Sequence, residues 1–387
     1  MENEFNYDAI RPYYDEEVHE AFKRVVTEPE LKSVLEYLFP NRPVEEIFHF
    51  LLSMHSIYDF QAKMIGPFLL DLTKKTANGL DISGLDKIKP TEKQLFISNH
   101  RDIILDAALL NTLLITNGIN TAENAIGDNL CVKPWITEMM KLNKNFIVQR
   151  SGSMREIFAA SKRLSFYIRR NILEKRNSVW IAQREGRAKD ANDRTQESLL
   201  KMLSMSAGDN LKKSFIELNI MPISISYEYD ACDFLKAKEF QEKRDNPDYQ
   251  KSKEDDLLNM KTGLIGYKGR IHYEISDVIN EELNEVLKDE DDRTAVLEKT
   301  AQLIDHKIHK NYRIFPGNYV ALDNLRSQTH FLGKMYSEEE KNTFDNYIEN
   351  QIKKIEIPQK DIPFLRDKLT EMYANPLINY LNATMIK

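Results

Sequence analysis

The sequence predicts an α/β fold: a central, largely parallel sheet flanked by helices, with helical extensions at the N- and C-terminal ends. Three observations carry this. Between about residues 84 and 280, short apolar runs alternate with longer amphipathic ones, the pattern of successive strand–helix units. Outside that region apolar residues recur at three-and-four spacing, as surface helices require. The 387 residues, 42% hydrophobic and 30% charged, can build an enzyme-sized core, which sets aside a disordered or fibrous chain.

Taken in order, the elements read as follows. The start, MENEFNYDAIRPYYDEE, is acidic and lacks a positively charged lead before an apolar block, so no secretory signal is expected. From Pro29 to Lys75 the pattern is helical: Ile47, Phe50, Leu51, Met54, Ile57 and Tyr58 form one face, and Phe60, Met64, Ile65, Phe68 and Leu69 continue it. That face is expected to pack on the next domain, with its aromatic edge able to rest on a bilayer surface. Residues 1–83 are thus an N-terminal helical region, closed by boundary signals at Asn78, Gly79 and Gly84. QLFIS then reads as a strand, DAALLNTLLITNG as a helix ending at Gly118, NFIVQ as a strand, and SMREIFAASKRLSFYIRRNILEK as a long helix. SVWIA, IMPISISYE and GRIHYEIS are further strands, and TQESLLKMLSM is a helix. The charged run between Cys232 and Lys261 is a helical excursion over the site or at an edge. Residues 84–280 make the α/β domain, and 281–387 a polar helical appendage.

Several functions are excluded early. A net charge of −7 gives no basic excess for tracking nucleic-acid phosphates. Cys131 and Cys232 form no C-x-x-C pair, which fits a reducing, cytoplasmic compartment and no zinc knuckle. No apolar run reaches the roughly 18 residues of a membrane span. His306-x-x-His309 has helical spacing but no third ligand nearby, so surface placement is expected and no metal. The triplet His100-Arg101-Asp102 suggests a kinase catalytic loop, yet Ala107 stands where the magnesium-binding asparagine belongs, and no glycine-rich loop precedes it. No G-x-S-x-G elbow supports a hydrolase.

Four blocks, in order, resemble the phospholipid and glycerol acyltransferases of the glycerol-3-phosphate and 1-acylglycerol-3-phosphate type. NHRDIILDAALL is similar to their Asn-His-x4-Asp block, NKNFIVQR to the apolar strand ending in Arg, VWIAQREGRAKD to the Glu-Gly-x-Arg turn, and IMPISISYE to the apolar-Pro-apolar strand. The chain departs from the pattern in three places. Five residues separate His100 from Asp106 instead of four, the glycine that usually opens the second block is absent, and Gly186 is followed directly by Arg187.

The resemblance implies a glycerolipid acyltransferase-like fold and transfer of an acyl group from an acyl carrier protein or coenzyme A thioester to a lysophosphatidate or glycerol 3-phosphate hydroxyl. It implies no cofactor beyond that co-substrate, no nucleic acid, and a cytoplasmic place at the inner face of the membrane. His100 is the base, since an imidazole titrates near working pH. A carboxylate would fix its tautomer and stabilise the imidazolium. Asp106, followed by AALL as in the family's helix, is favoured for this, with Asp102 its rival and otherwise a helix cap. The acceptor phosphate would meet Arg187 beside Gly186 and Glu185, with Arg150, Lys189 and Arg184 adding charge. Lys162, Arg163, Arg169, Arg170, Lys175 and Arg176 concentrate positive charge on one helix, either a solvated face or a contact for a carrier protein, coenzyme A phosphates or anionic lipid. Two alternatives stand beside this reading: a lyso-amino-lipid acceptor, and a non-catalytic lipid- or carrier-binding protein of the same fold.

Overall fold

The computed structural model describes residues 5–208 and 210–385; residues 1–4 of the acidic N-terminal stretch lie outside them. Seven strands form one sheet: β1 Gly79–Ser83, β2 Leu95–Ser98, β3 Glu123–Gly127, β4 Asn145–Val148, β5 Val179–Ala182, β6 Ile220–Tyr227 and β7 Arg270–Ile275. Their order is β1-β7-β6-β2-β5-β3-β4, and every neighbouring pair is parallel except β6 with β7. The expected sheet, largely parallel and covered by helices, is the one the chain forms.

Burial on both faces explains why the central strands are continuous apolar runs. Leu95, Ile97, Val179, Ile181 and Ile220 face one core, closed by helices Met154–Leu173, Glu197–Leu203, Leu211–Glu217 and Arg293–Lys310. Phe96, Trp180, Met221, Ile223 and Ile225 face the other, beneath helices Gly66–Thr76 and Leu105–Thr116. The N-terminal helices keep a core of their own around Phe22, Ile47 and Phe60, and the C-terminal helices one around Phe344, Leu365 and Leu369.

Four features differ from the sequence reading. The glycines at 79 and 84, read as a boundary, bracket β1, which is only partly buried and is held by parallel pairing with β7. β3 went unseen because Glu123 and Asn124 open it; Glu123 is buried and its carboxylate accepts from Tyr167, Asn171 and Asn177. Helix Pro134–Leu142 was unseen as well. The segment after residue 280 is no appendage at its start: Val296, Leu297, Ile304 and Ile308 put one face of helix Arg293–Lys310 into the sheet core.

β7 runs antiparallel for a topological reason. Helices Asp233–Asp245 and Lys253–Ile265 stay at the C-terminal end of β6 instead of crossing the sheet, so the returning strand must start at that end. Among the described residues no helix is long and apolar enough to cross a membrane.

Candidate active site

The site is built where β2 ends. Asn99 extends the sheet with its side chain: its Nδ2 donates to the Ile225 carbonyl at 2.8 Å and its Oδ1 accepts from the Ile225 N–H at 2.8 Å. This clamp fixes the exit of the chain and the start of the turn carrying His100. Nδ1 of His100 lies 2.8 Å from Oδ2 of Asp106. The same oxygen accepts from the backbone N–H groups of Arg101 at 2.6 Å and Asp102 at 3.0 Å. The chain therefore curls around the Asp106 carboxylate before the helix begins at Leu105. Six positions apart on a regular helix, the two side chains would diverge; an irregular turn brings them together.

Asp102 turns the other way. Its Oδ1 accepts from the N–H groups of Ile104 at 2.9 Å and Leu105 at 2.8 Å, a capping role at the helix start. Burial first, and the Asp106 charge second, push its carboxyl above the ordinary range. Its Oδ2 lies against Gly263, where a Cβ would come within 1.9 Å of it.

Sequence reasoning left Arg101 without a role, and the structure buries it. Its guanidinium grips Asp193 through Nη1 at 3.1 Å and Nη2 at 2.6 Å, and Tyr312 Oη donates to the same carboxylate at 2.5 Å. Nε2 of His309 donates to the Asp193 carbonyl at 2.9 Å. His309 is thus buried, contrary to the surface placement expected for it, because it faces this network from helix Arg293–Lys310; His306 is exposed. Lys236, also buried, pairs with Asp230 and donates to the Arg101 carbonyl at 3.3 Å. The backbone N–H that holds Asp106 thus belongs to a residue fixed from three other elements.

The turn after β5 supplies the second half of the site. Gly186 has φ +66°, in the left-handed region where a side chain is strained, and nothing lies within 4 Å of where a Cβ would point. Nη2 of Arg187 donates to Asn259 at 2.9 Å, while its Nη1 is buried without a partner among the described residues. Lys189 pairs with the buried Glu239, which also binds Lys243 at 2.9 Å, and burial pushes the Lys189 ammonium down to about 8. Glu185 is exposed, 3.9 Å from Arg150 Nε. In the second block, Lys144 occupies the turn into β4 with φ 61°, a conformation that suits glycine better, and its ammonium bonds the Thr121 carbonyl at 2.7 Å.

The basic helix resolves into different roles. Arg169 is buried against Glu217 at 2.7 Å, and Arg170 and Arg176 share Glu174. Lys162 and Arg163 form no ion pair among the described residues.

Two cavities meet at His100. The larger, about 700 Å³, runs from Phe60, Ile65, Ile104 and Met139 to Arg187 and Lys189. The smaller, about 380 Å³, lies between β5 and the Met154–Leu173 helix, bounded by Ile157, Leu164, Arg150 and Arg163. Trp180 lines both; its indole N–H donates to Ser98 at 3.0 Å, and its ring stands edge-on to the imidazole at 5.9 Å between centroids.

Comparison with known proteins bears on this arrangement. The family described as Acyltransferase matches residues 79–226. Among solved structures, that of the 1-acyl-sn-glycerophosphate (LPA) acyltransferase PlsC from Thermotoga maritima overlaps 73% of this chain and 95% of its own at 11% identity, with a TM-score of 0.35, too loose an overlap to extend its activity here. No curated protein matches. The family match begins with β1 and closes inside β6, enclosing the turns after β2 and β5, and it is residues 79–226 that are similar to the acyltransferase family.

Proposed function

We propose that the chain moves an acyl group from a thioester to the hydroxyl of a glycerol-phosphate-type acceptor in membrane lipid synthesis, with His100 as general base and Asp106 as its support. One observation carries the reading. An imidazole is held through Nδ1 by a buried carboxylate, while the ring lines two cavities, each large enough for part of a substrate. Asp106 fixes the Nδ1–H tautomer, so Nε2 is free to take a proton. The acceptor oxygen attacks the thioester carbonyl as its proton passes to Nε2. Its C–O bond forms, the C–S bond breaks, and the imidazolium returns the proton to the thiolate.

The apolar end of the larger cavity suits an acyl chain. Its other end offers Nη1 of Arg187, buried and without a partner among the described residues, a donor that an anion would satisfy. That orphan donor favours a phosphate-bearing acceptor over an uncharged lyso-amino-lipid.

The test is thiol release from palmitoyl-CoA and palmitoyl-loaded acyl carrier protein, with lysophosphatidate, glycerol 3-phosphate and phosphate-free acceptors, for wild type and Arg187→Ala. Release that needs a phosphate-bearing acceptor, with KM for it raised about tenfold or more in Arg187→Ala, supports the proposal. Equal use of phosphate-free acceptors by both proteins contradicts the phosphate assignment.

A further inference from the structure

The N-terminal half of helix Met154–Leu173 has two adjoining stripes, and the proposed chemistry uses neither fully. Ile157, Ser161 and Leu164 face the 380 Å³ cavity that ends at His100. Beside them Met154 and Phe158 stand 90% and 61% exposed, one turn apart, flanked by the exposed Arg155 and Lys162. Side by side, these two bare side chains make a small contiguous apolar patch, the kind of feature that marks a contact site.

Charge collects at the same place. Arg150, Arg163 and Arg184 line the cavity, and Arg155 and Lys162 are exposed on the helix that walls it. Among the described residues Arg155, Lys162, Arg163 and Arg184 make no ion pair, and Arg150 has only Glu185 at 3.9 Å. Nε of Arg184 is buried with no hydrogen-bond partner among the described residues. Glu156, the acidic residue on these turns, is occupied in capping the helix with Ser153. Among the described residues, four cations with no ion pair, and Arg150 with Glu185 alone, are thus gathered on a chain whose net charge is −7.

We propose that this face is the docking site for an acidic acyl carrier protein, whose phosphate-bearing thioester arm enters the smaller cavity toward His100. The inference deepens the acyl-transfer reading and rests on it for the identity of the cargo. A Met–Phe pair ringed by Arg and Lys has the make-up of a small protein interface, apolar at the centre and charged at the rim. The charge is complementary to an acidic partner and steers its approach. A bilayer-lying helix would instead expose an apolar stripe along its whole length, whereas beyond Leu164 this helix buries Tyr167, Ile168 and Ile172 in the sheet core. The phosphate linking the arm to its carrier would meet Arg150, Arg163 and Arg184 inside the cavity, leaving Arg187 to the acceptor in the larger one.

The test titrates palmitoyl-loaded acyl carrier protein, palmitoyl-CoA and phosphatidylglycerol vesicles into full-length wild type, Phe158→Ser and the Arg155→Glu/Lys162→Glu double variant. These side chains are exposed and outside the catalytic turns, so folding should be kept, with circular dichroism as the check. The expected result is carrier-protein binding in wild type that weakens with added salt, about tenfold weaker binding in each variant, and coenzyme A thioester turnover within twofold of wild type. Unchanged carrier binding, an equal loss for both thioesters, or loss of vesicle binding alone would overturn the proposal. Wild type that binds the carrier but transfers no acyl group would sink the acyl-transfer reading and leave the docking face standing. Wild type that turns over the coenzyme A thioester but binds no carrier would do the reverse.

Discussion

Arg101 shows how a residue can act on the reaction without touching substrate. Its backbone N–H holds Asp106, and its guanidinium is locked on Asp193 beneath Tyr312. Arg101→Lys keeps the charge but loses the two-pronged grip, so kcat should fall about tenfold with KM little changed. Arg101→Met strands the Asp193 carboxylate and should cost about 3–5 kcal/mol in urea unfolding. Equal rates in Arg101→Lys and wild type would remove its positioning role. Lys189 gives a pH signature. Its ammonium, pushed down to about 8 by burial, loses charge above that pH. KM for a phosphate acceptor should therefore rise between pH 7 and 9 in wild type and stay flatter in Lys189→Arg; matching profiles would exclude Lys189 from the acceptor site. The residues legible in the sequence were those inside four spaced blocks. The contacts of Asn99, Arg101 and Trp180, although these residues lie inside the blocks, and the part played by Asp193 outside them, were not legible, because a clamp on β6 or a pair 92 positions away leaves no local pattern.

At the scale of elements, the turn after β2 decides the site. Sequence spacing alone left Asp102 and Asp106 as rivals. The turn separates them because Asp102 caps the helix while backbone N–H groups curl around Asp106. The excursion after β6 closes over this turn through Gly263, against Asp102, and through Asn259, which receives Arg187. Gly263→Ala places a methyl group in the Asp102 carboxylate, so it should destabilise by about 1–3 kcal/mol and lower activity. A thermal midpoint and rate like those of wild type would show that helix Lys253–Ile265 is not seated there. Strands rich in Leu, Ile, Val and Phe were readable from the sequence, whereas β1 and β3 were not. Backbone pairing holds β1, and a buried Glu123 opens β3, so neither carries the apolar signature of a central strand. The direction of β7 was equally hidden, since it depends on where the excursion lies and not on the strand's own residues.

Across the whole molecule, the C-terminal helices are tied to the site through His309 and Tyr312, which gives stability a pH dependence. Burial pushes the His309 imidazole down to about 4. Between its ordinary value near 6.5 and 4 the unfolded chain binds a proton that the native one does not, so this contribution is lost as pH falls through that window. Asp233 and Asp305, pushed up to about 6 by burial, act oppositely: the native state keeps protons there, and their share is lost as pH rises from about 4 to 6. The His309 share is isolated by comparison with His309→Gln, whose stability deficit should shrink by about 3 kcal/mol between pH 7 and pH 4; a constant deficit would contradict a neutral, buried imidazole. Two cavities meet at His100 and share Trp180 as a wall; under the proposed function the donor arm would lie on one side of Trp180 and the acyl chain and acceptor on the other. The proposed chemistry depends most on the His100–Asp106 pair. The most direct measurement is acceptor-dependent thiol release from a palmitoyl thioester by wild type, His100→Ala, Asp106→Asn and Asp102→Asn. The pair predicts loss of release in His100→Ala, a fall of about a thousandfold or more in Asp106→Asn, and in Asp102→Asn mainly lost stability of about 1 kcal/mol. Full activity in His100→Ala, or a larger rate loss in Asp102→Asn than in Asp106→Asn, would contradict it.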